Sequence, residues 1–284
     1  MGTLRLGLGT SPLRTEHERL LRTALRRGSE DDLPEIPETL RLEGISPEAR
    51  AISIETWRAR ALHEHQSSCV FSRLLPQLIE AEASIEYKTV VLRAAMDEIR
   101  HAALCMQVVS YLGGEPVLEA PLATEVLPEH NSRTPRERAL RNVIFASCMS
   151  ETISTSLLAE ERELTTEPRI QRIVEQLSAD EILHAKLGWA LLEEWLPKLT
   201  EDERDGLARY LPLAFGVIEA KMLNAMPVGA PFPEPLRTEL RGLGAMEGSD
   251  GREILYAVLE SVIAPRFDEL GLPGTRAWNE RKTS

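Results

Sequence analysis

The sequence contains few cysteines, few aromatic residues and no long apolar run. Three cysteines in 284 residues cannot all pair within the chain, and none forms a Cys-x-x-Cys motif. This excludes a disulfide framework, a zinc ribbon and a rubredoxin-type centre. Aromatic residues make up only 5% of the chain, which argues against a stacking platform for single-stranded nucleic acid. Without an apolar run of about 18 residues or a signal-peptide core, we expect a cytoplasmic protein that has no membrane partner.

The charge is strongly one-sided. The chain has 33 Lys and Arg against 45 Asp and Glu, a net charge of −12. Such a chain repels phosphate backbones and anionic membranes, so nucleic acid is not an expected partner. The alternative that remains open is a local basic patch around Arg22, Arg26 and Arg27.

Local start and stop signals predict four long helices. Ser46-Pro47 is an N-cap followed by a proline at the first helical position, and Gly113-Gly114 is a typical helix end. Thr134-Pro135-Arg136-Glu137 predicts a capping box that opens a third helix. The predicted helices cover residues 46–78, 83–112, 134–164 and 169–195.

These helices form two pairs with short links, separated by an irregular connection at residues 113–133. Strand patterns are absent. The pattern predicts an all-α fold, a four-helix bundle with one long crossover. We expect an N-terminal arm at 1–45, the bundle at 46–197, and a helical C-terminal annex at 198–284 that packs on the bundle and ends in a loose tail from Pro273.

Two helices carry the same short motif. Asp97-Glu98-Ile99-Arg100-His101 lies in the second helix, and Asp180-Glu181-Ile182-Leu183-His184 lies in the fourth. In each, a glutamate and a histidine three residues apart share one helical face. Each pair is therefore able to hold a metal ion from one side.

Helix geometry supplies a partner carboxylate for each motif. Glu64 lies 17 residues before the first link at Ala81, and Glu98 lies 17 residues after it. Glu151 and Glu181 lie 15 residues on either side of the second link at Thr166. At 1.5 Å per residue, both pairs sit about 23–26 Å from their links.

These residues predict a site for two metal ions. Four carboxylates that face one core need cations to compensate them, and mixed oxygen and nitrogen ligands favour iron or manganese over a structural zinc. The alternative is that surface glutamates and two chance histidines produce the pattern. The predicted ligands are Glu64, Glu98, His101, Glu151, Glu181 and His184.

This arrangement resembles the ferritin-like di-iron carboxylate proteins, which carry one Glu on each of two helices and Glu-x-x-His on the other two. The resemblance covers residues from about 50 to 195. The aspartates and the arginine of the two motifs are similar to those of the oxygen-activating members, such as acyl-carrier desaturases, bacterial multicomponent monooxygenases and the ribonucleotide reductase small subunit. It implies two iron ions, with Mn–Fe as the alternative. It also implies that Asp97 orients His184, that Asp180 orients His101, and that Arg100 bridges to a carboxylate.

Other residues near the motifs have two interpretations each. The resemblance implies a catalytic role for Thr155, one turn after Glu151, whereas the alternative is a hydroxyl bonded to its own helix. Cys105 and Cys148 are expected to be small core residues rather than redox groups. Tyr87 is expected in the core, with a radical site as the alternative.

The resemblance further implies an enzyme, a di-iron oxidase or oxygenase. It would use O2 to hydroxylate, desaturate or N-oxygenate a small or carrier-bound organic substrate. Because the chain has no flavin, nicotinamide or iron–sulfur motif, the electrons would come from an external donor. The alternative is a non-catalytic iron-handling protein of the ferroxidase type. A homodimer is left open.

Overall fold

A computed structural model describes residues 3–6, 44–121, 126–131 and 133–281. These residues are nearly all helical, which confirms the all-α prediction. The long helices are followed by a series of shorter ones toward the C-terminus. In chain order they are α1 (Pro47–Glu80), α2 (Ile85–Tyr111), α3 (Pro135–Val143), α4 (Thr152–Leu164), α5 (Pro168–Trp195), α6 (Glu201–Ala225), α7 (Glu234–Gly242), α8 (Gly248–Val258), α9 (Ala264–Glu269) and α10 (Gly274–Asn279).

The first pair of helices is set by local caps. Ser46 Oγ accepts a hydrogen bond from the Ala49 amide at 3.1 Å, which satisfies one of the free amides at the start of α1. Gly113, with φ at +80°, ends the run after α2 in a left-handed conformation. α2 packs against both α1 and α5.

The third helical run differs from a regular α-helix. Between α3 and α4 it contains a π-helical segment, Ile144–Glu151. A π segment inserts residues into the helix and changes which side chains share a face. Glu151 therefore reaches the core from the end of this segment rather than from a continuous α-helix.

The predicted capping box at the start of α3 is only half formed. Thr134 Oγ accepts from the Glu137 amide at 3.2 Å, but the Glu137 carboxylate turns away and accepts from Arg141 at 2.7 Å. Glu137 is buried against Gly206 of α6. Packing against a later element has thus overridden the local motif.

Two short strands pair within this otherwise helical structure, so the prediction of no strands is wrong at this point. β1 (Thr3–Leu6) runs antiparallel to β2 (Leu118–Pro121), with Thr3 opposite Pro121. β2 does alternate, since Leu118 and Ala120 are buried while Glu119 and Pro121 are exposed. Four residues are too few for a reliable pattern, and the partner strand is distant in sequence. The remainder of the predicted arm, with Arg22, Arg26 and Arg27, lies outside the described residues.

The C-terminal helices pack on the long ones. Trp57 Nε1 of α1 donates to the Leu243 carbonyl at 2.9 Å, and α8 packs against α4. The prediction of a loose tail from Pro273 is wrong for the described part, because α10 buries Trp278, and Arg281 Nε donates to Glu219 at 2.7 Å.

None of the described helices has an apolar stretch long enough to span a bilayer.

Candidate metal centre

A buried polar layer divides the hydrophobic core into two parts. On α1, Glu64 and Ser68 separate Ala61 in one apolar cluster from Phe71 in the other. The corresponding polar stretches are residues 97–101 on α2 and 180–184 on α5. The polar side chains therefore lie at one depth of the helical packing, sealed above and below by apolar contacts.

The structure brings the six predicted ligands together in this layer. Glu98 and Glu181 are 1% exposed, His101 and His184 are 0% exposed, and the other two glutamates are 6% exposed. Their candidate ligand atoms form two groups, each with all atoms within 4.8 Å of one another. One group is Glu64, Glu98, His101 and Glu181, and the other is Glu98, Glu151, Glu181 and His184.

Glu98 and Glu181 belong to both groups. A carboxylate has two oxygens, so each of these glutamates is placed to contact two adjacent ions. Glu64 belongs to one group only, and Glu151 to the other. The arrangement is that of two neighbouring sites with two shared and two separate carboxylates.

Both histidines direct Nδ1 toward these carboxylates. His101 Nδ1 lies 3.4 Å from Glu181 Oε1 and 3.7 Å from Glu64 Oε2. His184 Nδ1 lies 3.0 Å from Glu181 Oε2 and 3.2 Å from Glu98 Oε1. An imidazole whose Nε2 carries the proton has a lone pair at Nδ1, the atom that faces the carboxylates here.

The outer nitrogen of each histidine faces an aspartate on the opposite helix. His101 Nε2 lies within hydrogen-bonding distance of Asp180 Oδ2, at 3.3 Å. His184 Nε2 lies 3.5 Å from Asp97 Oδ2 without forming a hydrogen bond. A carboxylate in this position sets the ring orientation and the tautomer of a metal-binding histidine. The two contacts cross between α2 and α5 in opposite directions.

Arg100 links the two aspartates. It is 1% exposed, its Nη2 lies 3.0 Å from Asp97 Oδ1, and the same nitrogen pairs with Asp180. The resemblance implied a bridge to one carboxylate, and the structure shows contacts to both. A cation held between them offsets the charge of two buried acids.

Sequence reasoning missed two further partners of these aspartates. Arg93 Nε donates to both oxygens of Asp97 at 2.7–2.8 Å, and Gln176 Nε2 donates to Asp180 at 2.8 Å. Both lie four residues before the aspartate that they contact, and therefore one helical turn away on the same face. That spacing was the available signal.

Burial and mutual contacts shift the pKa values of the glutamates and histidines in this cluster. Burial, together with the nearby Glu181 carboxylate, raises the pKa of Glu98 and of Glu151 well above the ordinary value. Burial opposes charge on His184, but Glu181 and Asp97 outweigh it and raise the pKa of this histidine to about 10. Burial likewise opposes charge on His101, yet its hydrogen bond to Asp180 and the nearby Glu181 carboxylate raise its pKa well above the ordinary value. Positive charge is therefore favoured at the centre of the cluster.

Unpartnered polar atoms show that the residues fit a metal. Both carboxylate oxygens of Glu98 and Nδ1 of His101 are buried and have no hydrogen-bond partner among the described residues. Buried polar groups are rarely left unsatisfied, and these atoms lie at the centre of the cluster. Carboxylate oxygens and imidazole nitrogens are donors suited to iron and manganese. These buried groups could hold a metal ion.

Comparison of the chain with known proteins gives no match. No protein-family model matches the chain, and no curated protein matches it. The side-chain geometry therefore carries the interpretation of the site.

The remaining predicted residues lie around the cluster. Thr155 Oγ1 donates to the Glu151 carbonyl at 2.7 Å. The hydroxyl is therefore bonded to its own helix, which was the alternative to a catalytic role. Cys105 and Cys148 are buried free thiols. The Tyr87 hydroxyl donates to Glu194 at 2.7 Å, and the ring lies eleven residues, about 16 Å along the helix, before Glu98.

A buried ion pair next to the cluster was also missed. Arg60 lies one turn before Glu64 on α1 and pairs with Glu161 of α4. Arg60 also lies over the Trp57 ring, 4.6 Å from its centroid. Burial raises the pKa of the Glu161 carboxyl, and the Arg60 guanidinium offsets this only in part. The pair bridges α1 and α4 beside the predicted ligands.

Proposed function

We propose that this protein is a ferritin-like di-iron carboxylate enzyme, an oxidase or oxygenase. It would use O2 to hydroxylate, desaturate or N-oxygenate a small or carrier-bound organic substrate. The observation that carries the proposal is the repeated ligand set: one glutamate plus Glu-x-x-His from each helical pair, with Glu98 and Glu181 common to both groups. This set is the one that ferritin-like di-iron proteins use, which supports the proposal.

Charge supports two divalent ions over one. Four glutamates meet in a volume sealed by apolar residues, and two divalent cations balance four carboxylates. Each candidate ion would have one histidine, one separate glutamate and the two shared glutamates. Two iron ions suit these donors best, and a Mn–Fe pair is the alternative.

The chain's residues would serve to hold and orient these ions. When bound, a pair of iron ions supplies the electrons that reduce O2, chemistry that protein side chains lack. Asp97 and Asp180 would keep the imidazoles in one orientation, and Arg100, which contacts both aspartates, would hold them in place. Four rigid helices fix the spacing between the ligands, while the shared carboxylates have a second oxygen with which to change their contacts.

We infer the side from which substrate would approach from the two least buried glutamates. Glu64 and Glu151 are each 6% exposed, whereas Glu98 and Glu181 are each 1% exposed. The less buried pair belongs to α1 and to the π segment, the side on which Thr155 and the Arg60–Glu161 pair also lie. We place the organic substrate on this side and the external electron donor on the surface of the protein.

Metal loading followed by exposure to O2 tests the proposal. Metal-free protein is titrated anaerobically with Fe(II), unbound metal is removed, and the iron is counted. We expect two irons per chain, and O2 consumption on mixing without further iron uptake. Uptake of many irons per chain would support the iron-handling alternative and reject an oxygenase.

Ligand variants test the assignment of residues. Glu151→Ala and His184→Ala should reduce the bound iron below two per chain. Glu175→Ala is the matched control, because Glu175 is an exposed glutamate on the same helix as His184 and should leave iron binding unchanged. Two irons per chain in both ligand variants would show that the assignment is wrong.

A further inference from the structure

The outward face of α2 carries a second apolar pattern in addition to the one that faces the core. Apolar or uncharged residues recur along it at alternating spacings of four and three, the a and d spacing of a coiled coil. The pattern spans three heptads, and none of its members is charged. We call this set the α2 seam: Ile85, Thr89, Leu92, Met96, Ile99, Ala103 and Met106.

Four apolar members of the α2 seam are exposed, whereas Ala103 and Met106 are half-buried and Met106 packs against the core. Ile85 is 73% exposed, Leu92 50%, Met96 44% and Ile99 40%. The opposite face of the same helix, which includes His101, is fully buried. A helix on a protein surface normally presents polar residues outward, and within the part of the chain that the structure describes these apolar side chains remain open to solvent.

We propose that the α2 seam is the interface of a homodimer, in which α2 packs against α2 of a second copy of this chain. A heptad seam is shaped to receive the side chains of another helix. A twofold interface requires one patch that is complementary to itself, which a continuous seam on a single helix provides. The middle of the seam, Met96, then meets its own counterpart across the twofold axis.

The absence of charged residues from the seam favours a second copy of the chain on this face. Each chain carries a net charge of −12, so two copies repel each other wherever their acidic surfaces meet. The uncharged seam lets two copies approach without placing like charges in contact. From Ile85 to Met106 the seam extends for about 32 Å.

Sedimentation velocity of the full chain tests the proposal. We expect a species of about twice the chain mass of 31.7 kDa at micromolar concentration. Leu92→Glu buries a carboxylate one helical turn from the axis in each half of the interface and removes two buried leucines, so it should raise the dimer dissociation constant by ~100-fold or more. Leu213→Glu is the matched control: this leucine is 54% exposed on α6, and its variant should remain dimeric.

Disulfide trapping locates the axis. In a Cys69→Ser background the two remaining cysteines are buried, and Met96→Cys should form an intermolecular disulfide on mild oxidation. Wild-type protein that is monomeric, or equal dissociation of the Leu92→Glu and Leu213→Glu variants, overturns the proposal. Failure of Met96→Cys to cross-link in an otherwise dimeric protein also overturns it. A full chain that is monomeric but that self-associates once residues 1–43 are deleted would mean that the arm covers the seam. This result would reject the dimer.

Discussion

Asp97 on α2 lies 3.5 Å from the Nε2 atom of His184 on α5. The reciprocal contact joins Asp180 on α5 to His101 on α2 at 3.3 Å. Each helical pair therefore places an aspartate beside the outer nitrogen of the other pair's histidine. The two halves of the cluster are coupled through side chains that would not touch a metal ion.

Removing either aspartate should weaken metal binding. We expect Asp97→Asn or Asp180→Asn to lower the affinity for Fe(II) about 10- to 100-fold, because the imidazole loses the carboxylate that sets its tautomer. Anaerobic metal titration measures the change. Glu175→Gln, a neutralised exposed acid on α5, should leave the affinity at the wild-type value. Wild-type affinity in both aspartate variants would contradict the orienting role.

A methyl group at Gly188 should disturb the position of Glu151. A Cβ there would lie 2.7 Å from Ser147 Cβ and 2.9 Å from the Cys148 amide nitrogen, both in the π segment that ends at Glu151. We expect Gly188→Ala to lower the free energy of unfolding by about 1–3 kcal/mol and to weaken metal binding. Urea unfolding and metal titration measure the two effects. Gly229→Ala is the control, since no atom lies within 4 Å of a Cβ at that position.

The Arg60–Glu161 pair should stabilise the packing of α1 with α4. Arg60→Met leaves the Glu161 carboxylate buried without its cation, which we expect to lower the free energy of unfolding by about 3–5 kcal/mol. The double variant Arg60→Met, Glu161→Met removes both charges and should recover much of that loss. Urea unfolding of the two single variants and the double variant gives the coupling energy. Additive effects would mean that the two side chains do not interact.

The contact between Arg281 and Glu219 should make stability depend on pH. The Arg281 hydrogen bond holds the pKa of Glu219 below its ordinary value of 4.5. This contribution is complete above pH 4.5 and is lost as the pH falls through the lowered pKa of the folded state.

Glu219→Gln should therefore lower the free energy of unfolding by about 1–3 kcal/mol at neutral pH. The difference from wild type should shrink as the pH falls below 4.5, because the wild-type carboxyl is then also neutral. Urea unfolding at a series of pH values measures it. A difference that does not change with pH would show that the ionised form of Glu219 has no special role.

Helix ends were predictable because their causes are local. The predicted starts and ends of the first two helices, 46–78 and 83–112, lie within two residues of α1 and α2. Ser46 caps its own helix, and Gly113 supplies a left-handed residue where α2 ends. Neither effect needs a distant part of the chain.

Features that depend on distant partners were missed. β2 exists because it pairs with β1, more than a hundred residues earlier. Glu137 leaves its capping position because Arg141 and α6 hold its carboxylate. The π segment before Glu151 has no simple sequence signature, since it packs against Gly188 of another helix.

The sequence by itself determined the order and spacing of the six candidate ligands. Helical rise is constant, so equal distances from a link place Glu64 beside Glu98 and Glu151 beside Glu181. Only the tertiary structure decided that Glu98 and Glu181 are shared, that both histidines turn Nδ1 inward, and that four apolar residues of the α2 seam are exposed. Those properties depend on how helices far apart in sequence pack against each other, which local spacing does not specify.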